Sequence, residues 1–155
     1  MAIAVGDDVS QPLQQHAAAI TRYRSGHGHT ARAPILGADH EETLIVLSNL
    51  ATSRAMMGDY TAAVADYQQV YDRRARVLGP DNPGTLRTLE MLADTRASAG
   101  DHEGAAADFQ QLLDTRNRVL GPEHEQTLRT RGDLIHQQSL LITAQQQTPD
   151  QEVDN

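Results

Sequence analysis

A nine-residue phrase that occurs three times restricts this chain more than anything else in it. Residues 78–86 read LGPDNPGTL, residues 36–44 read LGADHEETL and residues 120–128 read LGPEHEQTL, so successive copies stand 42 residues apart. A fixed period of that length marks an array of stacked supersecondary units. Each unit shelters its neighbours, and binding surfaces run along the stack.

The residues between copies have a helical period. Leu44, Leu47, Leu50 and Ala51 form one apolar stripe that ends at Gly58, a residue suited to the left-handed position after a helix. Asp59 then caps a second helix with an inner face of Tyr60, Ala63, Val64, Tyr67, Val70 and Tyr71. The next unit repeats the plan with Leu86, Leu89, Leu92 and Ala93, then Gly100 and Asp101, then Ala105, Ala106, Phe109, Leu112 and Leu113. Asn82 followed by Pro83 reads as a cap and a first helical residue. A third unit opens at Leu128 and keeps a partial stripe of Leu134, Ile135, Leu141 and Ile142. Arg131, however, replaces Leu47 and Leu89, and no Gly-Asp turn follows. Residues 124–144 are therefore expected to be a capping helix, more polar on its outer side, and 145–155 a disordered tail.

Upstream, residues 1–9 read as a flexible lead-in and Ser10 to Arg24 as a helix capped by Ser10, with Pro12 in its first turn. The Gly- and Pro-bearing stretch 25–34 ends it. Ala19 and Tyr23 match Ala63 and Tyr67 at a step of 44, so this helix is the surviving second half of a degenerate repeat, 10–37, with a two-residue insertion within GHGH. Full repeats then occupy 38–79 and 80–121, within a domain of 10–144.

Ala51, Gly58, Ala63 and Tyr67, matched by Ala93, Gly100, Ala105 and Phe109, resemble the small-small-small-aromatic signature of tetratricopeptide repeats. The long linking phrase is similar to that of the 42-residue variety, typified by kinesin light chains and common in bacterial signalling proteins. The resemblance implies an all-α, right-handed α–α superhelix of about six helices. It also implies a concave groove, lined by the first helix of each pair, that takes an extended peptide or a partner helix. By repeat position the groove residues are Ile45, Ser48, Asn49 and Thr52, then Arg87, Glu90 and Asp94, then Arg129, Asp133 and His136. The family's binding asparagine is kept only as Asn49, with Met91 and Asp133 at the equivalent places, which counts against a carboxylate-clamp mode.

Arg54 and Arg96 continue the apolar stripe of their helices, where an unpaired guanidinium would be costly. Each repeat carries an aspartate beside the inner stripe of its second helix, so Arg54 is expected to pair with Asp66 and Arg96 with Asp108. The competing reading lets these arginines reach the groove and grip an anion.

Chemistry is harder to find. His16, His27, His29 and His40 offer a metal reading, but GHGH lacks the helical spacing of catalytic zinc sites, and His40 and His124 share the loop position of the capping Asn82. No metal and no cofactor is assigned. With no cysteine, disulfides and thiolate sites are excluded. No nucleophile elbow or phosphate loop occurs, so enzymatic activity is not expected.

The balance of 13 arginines and no lysine against 21 acidic residues, net −8, argues against nucleic acid as a partner. No stretch approaches the ~18 apolar residues of a membrane span, and a cytoplasmic location is expected. The leading function is a scaffold or adaptor that binds a peptide, a helix or a second copy of itself through the groove or an exposed end. The alternative is a small-molecule sensor or biosynthetic accessory protein using Arg54, Arg87, Arg96 and Arg129. The opening Met and the short tail favour a stand-alone chain over one module of a larger sensor.

Overall fold

The structure, a computed structural model, describes residues 39–147. Among them are five helices and no strand: α1 (Glu41–Met56), α2 (Tyr60–Leu78), α3 (Pro83–Ser98), α4 (His102–Val119) and α5 (Glu125–Gln147). Each helix packs mainly on the next, giving an α–α solenoid in which α1 with α2, and α3 with α4, are the two complete repeats. The expected helix at 10–24, the lead-in 1–9 and the degenerate repeat 10–37 lie outside the described residues.

The turns repeat with the sequence. Gly58 and Gly100 adopt φ of 82° and 83°, and Gly79 and Gly121 both adopt 92°, in the region that residues with a Cβ avoid. After α1, Gly58 and Asp59 donate to the Ala55 and Arg54 carbonyls; after α3, Gly100 and Asp101 donate to those of Ala97 and Arg96. Asp59 and Asp101 then accept the backbone N–H of Ala62 and Gly104 at 3.2 and 2.9 Å, closing the next helix start. At the longer link the caps change chemistry but keep their place. His40 Nδ1, Asn82 Oδ1 and His124 Nδ1 accept from Glu42, Gly84 and Gln126 at 3.3, 2.9 and 3.2 Å.

Small side chains let the helices come close. Ala51, Ala63, Ala93 and Ala105 are completely buried, and Tyr67 and Phe109 fill the space beside them. The main core joins Ala51, Tyr67, Leu86, Leu89, Leu92, Ala93, Ala105, Phe109, Leu112, Leu113 and Leu134, so it is continuous from α1 to α5.

Two expectations are corrected at α5. The helix continues through Gln147, three residues past the expected end of 144 and into the stretch read as a disordered tail; residues 148–155 lie outside the described part. Its buried face is Thr127, Thr130, Leu134 and Gln137, whereas Ile135 and Ile142 are exposed, as is Leu128. Leu134 and Ile135 are neighbours in sequence, so in a helix they point about 100° apart, and only one of them can face α4. The outer side is thus less polar than a capping helix should present.

Candidate functional site

The first helices α1, α3 and α5 carry the ten residues assigned to the groove. Thr52, Tyr67, Arg87 and Asp94 lie within mutual influence. The Tyr67 hydroxyl, on α2, hydrogen-bonds Thr52 Oγ1 at 2.8 Å. Burial pushes the Tyr67 phenol up, against the Thr52 hydrogen bond and the Arg87 charge, while Asp94 adds to the rise. Asp94 in turn has its carboxyl raised by desolvation first, then by Glu90 and Asp133, with Arg129 and Arg116 opposing. Thr52, Arg87, Glu90, Asp94, Arg129 and Asp133 are thus linked to one another or to Tyr67 by a bond or a field, and the Ser48 carbonyl accepts from Thr52 within α1 at 2.9 Å. Ile45, Asn49 and His136 are exposed on the same helices, and no bond ties them to that cluster.

Of these residues Glu90 alone has a structural commitment through its charge. It accepts a forked pair of bonds from Arg116, Nη2 to Oε2 at 2.9 Å and Nη1 to Oε1 at 3.3 Å. Tyr67 was read from sequence as core only. Its ring is core, but its hydroxyl reaches the first-helix surface, and the pairing with Thr52 is not periodic because Asp94 and Phe109 occupy the equivalent places.

The arginines divide cleanly. Arg54 Nη1 contacts Asp66 Oδ2, and Arg96 Nη1 donates to Asp108 Oδ2 at 2.8 Å while its Nη2 donates to Gln68 of the preceding repeat at 2.9 Å. Both guanidinium groups are therefore held inside the fold, not offered to a ligand. Arg74 and Arg116, which sequence reading passed over, are buried and link repeats. Arg74 donates to Thr88 at 2.8 Å and to Glu41 at 2.7 Å; Arg116 donates to Thr130 at 2.5 Å and to Glu90. At the surface, Arg76 holds Asp39 at 2.7 Å and Arg118 holds Asp81 at 2.6 Å, each pinning a linking phrase to the end of its repeat's second helix. The guanidinium of Arg118 keeps the Asp81 carboxyl below its ordinary range.

Asp108 yields a pH prediction. Burial, the largest influence, pushes its carboxyl up to about 6 despite the Arg96 charge beside it, with Asp101 adding to the rise. A carboxyl whose folded pKa exceeds its unfolded value binds its proton more tightly in the fold. Its stabilising contribution is present below the unfolded value and is lost as pH rises through 6. Lowering the pH from 7 to 4.5 should therefore stabilise the wild type by about 2 kcal/mol relative to Asp108→Asn, as read by urea unfolding at both pH values. An equal pH response in both proteins would refute it.

Among the described residues no group of three or more His, Cys, Asp or Glu side chains is placed to hold a metal, and no helix is long and apolar enough to cross a membrane. His40 serves as a helix cap; His16, His27 and His29 lie outside the described residues.

The sequence pattern of the Tetratricopeptide repeat family matches residues 42–117, which spans both helix pairs. Residues 42–117 are tetratricopeptide repeats. Its solenoid is similar to the crystal structure of the nearly identical tetratricopeptide-like repeats of a kinesin light chain homologue from Podosopora anserina. The TM-score is 0.66 at 21% identity, covering 91% of this chain and 72% of that one. A single-substitution variant of that protein gives 0.65 at 22% identity, covering 88% and 69%. No curated protein matches in sequence. In fold, this tetratricopeptide array is thus of the kinesin-light-chain-like type.

Proposed function

We propose that this tetratricopeptide array is an adaptor that docks a peptide, a helix or a second copy of itself through its first-helix surface or an exposed end. Tetratricopeptide repeats generally mediate protein–protein interaction. The observation that carries the reading is the contrast among arginines. Arg54, Arg74, Arg76, Arg96, Arg116 and Arg118 all hold carboxylates within the fold, whereas Arg87 and Arg129, exposed on α3 and α5, enter none of the ion pairs among the described residues. Asp94 shares α3 with Arg87 and lies in the field of Arg129, so the surface offers charges of both signs, a pattern that selects a partner by complementarity more than by bulk affinity.

The test is affinity capture by the wild type and by the Arg87→Glu/Arg129→Glu double variant, with melting curves to show that both are folded. A protein held by the wild type and lost by the variant supports the first-helix surface. Equal capture by both removes it as the docking site.

A further inference from the structure

The first and last described helices, α1 and α5, are unlike the helices between them, and the differences match. In a complete repeat, one side of the first helix is closed by the second helix of its own pair. At the positions that meet that second helix, Leu44 and Leu86 are 1% and 7% exposed, and Ala51 and Ala93 are 0% exposed. The corresponding α5 residues are Leu128 and Ile135, and they are 44% and 58% exposed. Ile142, one further heptad along the same side, is also exposed, so α5 presents an apolar seam with the register of a helix-docking face. Arg131, which replaces Leu89, turns its Nη2 toward the Pro122 carbonyl 3.5 Å away.

Among the described residues, α1 has no preceding second helix packed on it. The side of α3 and α5 that receives the preceding second helix carries Thr88 and Thr130, at 2% and 0% exposure; the matching residue on α1, Val46, is 43% exposed. Residues 10–24 carry the second-helix signature, Ala19 and Tyr23 standing for Ala63 and Tyr67 and for Ala105 and Phe109, with no first helix before them. The sequence therefore offers one second-helix signature without a first, and among the described residues α5 is a first helix without a second.

The polar position of the pair agrees. In both complete repeats an arginine on the first helix meets an aspartate on the second, Arg54 with Asp66 and Arg96 with Asp108. On α5 the arginine's place is taken by Gln138, and in the segment 10–24 the aspartate's place, just before Tyr23, is taken by Arg22. Both positions differ from the complete repeats, and setting Arg22 against Gln138 would leave neither a buried aspartate nor two facing arginines unpaired.

We propose that copies of this chain associate head to tail, with residues 10–24 of one copy docking on the Leu128/Ile135/Ile142 seam of the next and completing its third repeat. This rests on the adaptor reading and names the partner as a second copy. The contact is heterologous, joining unlike surfaces, so it adds copies in an open series and does not stop at a symmetric pair.

Sedimentation of the full chain from micromolar to near-millimolar concentration should show a mass that climbs past the dimer. Ile135→Asp, on an exposed face, and Tyr23→Asp should each weaken association more than about tenfold, as burying a charge in an apolar seam does. An equimolar mixture of the two should give a 1:1 heterodimer and nothing larger, because only one competent seam and one competent segment remain. Gln138→Arg alone should weaken association, and adding Arg22→Asp should restore it by recreating the pair of the other repeats; this arm does not depend on how well Tyr23→Asp folds. A wild type that stays monomeric throughout, an Ile135→Asp chain that associates like the wild type, or a mixture that stays monomeric would overturn the proposal. Partner capture by the Arg87→Glu/Arg129→Glu variant reads the first-helix surface and the mass distribution of Ile135→Asp reads the end-to-end contact, so failure of the one and failure of the other are separately readable.

Discussion

Phe109→Ala should lower the free energy of unfolding by about 3–5 kcal/mol, the cost of deleting a buried aromatic ring and leaving its cavity. The ring is almost completely buried in the single core that includes Leu89, Leu92, Ala93, Ala105, Leu112 and Leu134. Those residues belong to α3, α4 and α5, so this one side chain couples the second repeat to the terminal helix. In a solenoid, stability is a sum of weak units and strong interfaces, and loss at an interface uncouples neighbours. The urea transition followed by helical circular dichroism should accordingly move to lower denaturant and broaden. Phe109→Leu, which keeps most of the volume, should cost less than about 1.5 kcal/mol. A loss below about 1 kcal/mol for the alanine variant would mean that the surrounding helices collapse into the space, as loosely packed sites do.

What made this position legible in advance was the period. Alanine at 51 and 93 and at 63 and 105, glycine at 58 and 100, and an aromatic at 67 and 109 recur at the repeat step, so each residue vouches for the other. Arg54 with Asp66 and Arg96 with Asp108 could be paired for the same reason, since both members recur. The buried arginines were not legible because only half of each interaction is periodic. Arg74 and Arg116 recur, as do their acceptors Thr88 and Thr130, but Arg74 takes Glu41 while Arg116 takes Glu90, and the places equivalent to those two glutamates hold Pro83 and Ser48. Buried threonines also hide from a hydropathy pattern: each of Thr88 and Thr130 satisfies its hydroxyl on the carbonyl one turn back, at 2.9 Å, and then accepts from an arginine. At α5 the reading failed for a geometric reason, since an apolar pair at 134 and 135 says that a helix is present without saying which of the two points inward.

Arg116→Met should be about as damaging as loss of the ring, at about 3–5 kcal/mol, although the replacement is apolar and of similar length. The expected loss does not come from attraction forgone. Two charges taken out of water repay much of what their contact gains, and a buried pair is weak evidence of net stabilisation. The cost arises because Glu90, mostly covered and deprived of both forked bonds, keeps its charge with no donor to meet it, and Thr130 loses the Nη1 donor at 2.5 Å. If that is the cause, adding Glu90→Gln to Arg116→Met should recover most of the loss, because an amide needs no counter-charge. A double-mutant cycle in urea reads the coupling directly. The Arg118–Asp81 fork supplies the contrast. It is as short, at 2.6 Å in both arms, but stands in solvent, where screening and side-chain entropy cancel most of the attraction, so Arg118→Met should leave the transition almost where it was. Similar losses at Arg116 and Arg118 would show that burial is not what distinguishes the arginine that joins repeats from the one that fastens a loop.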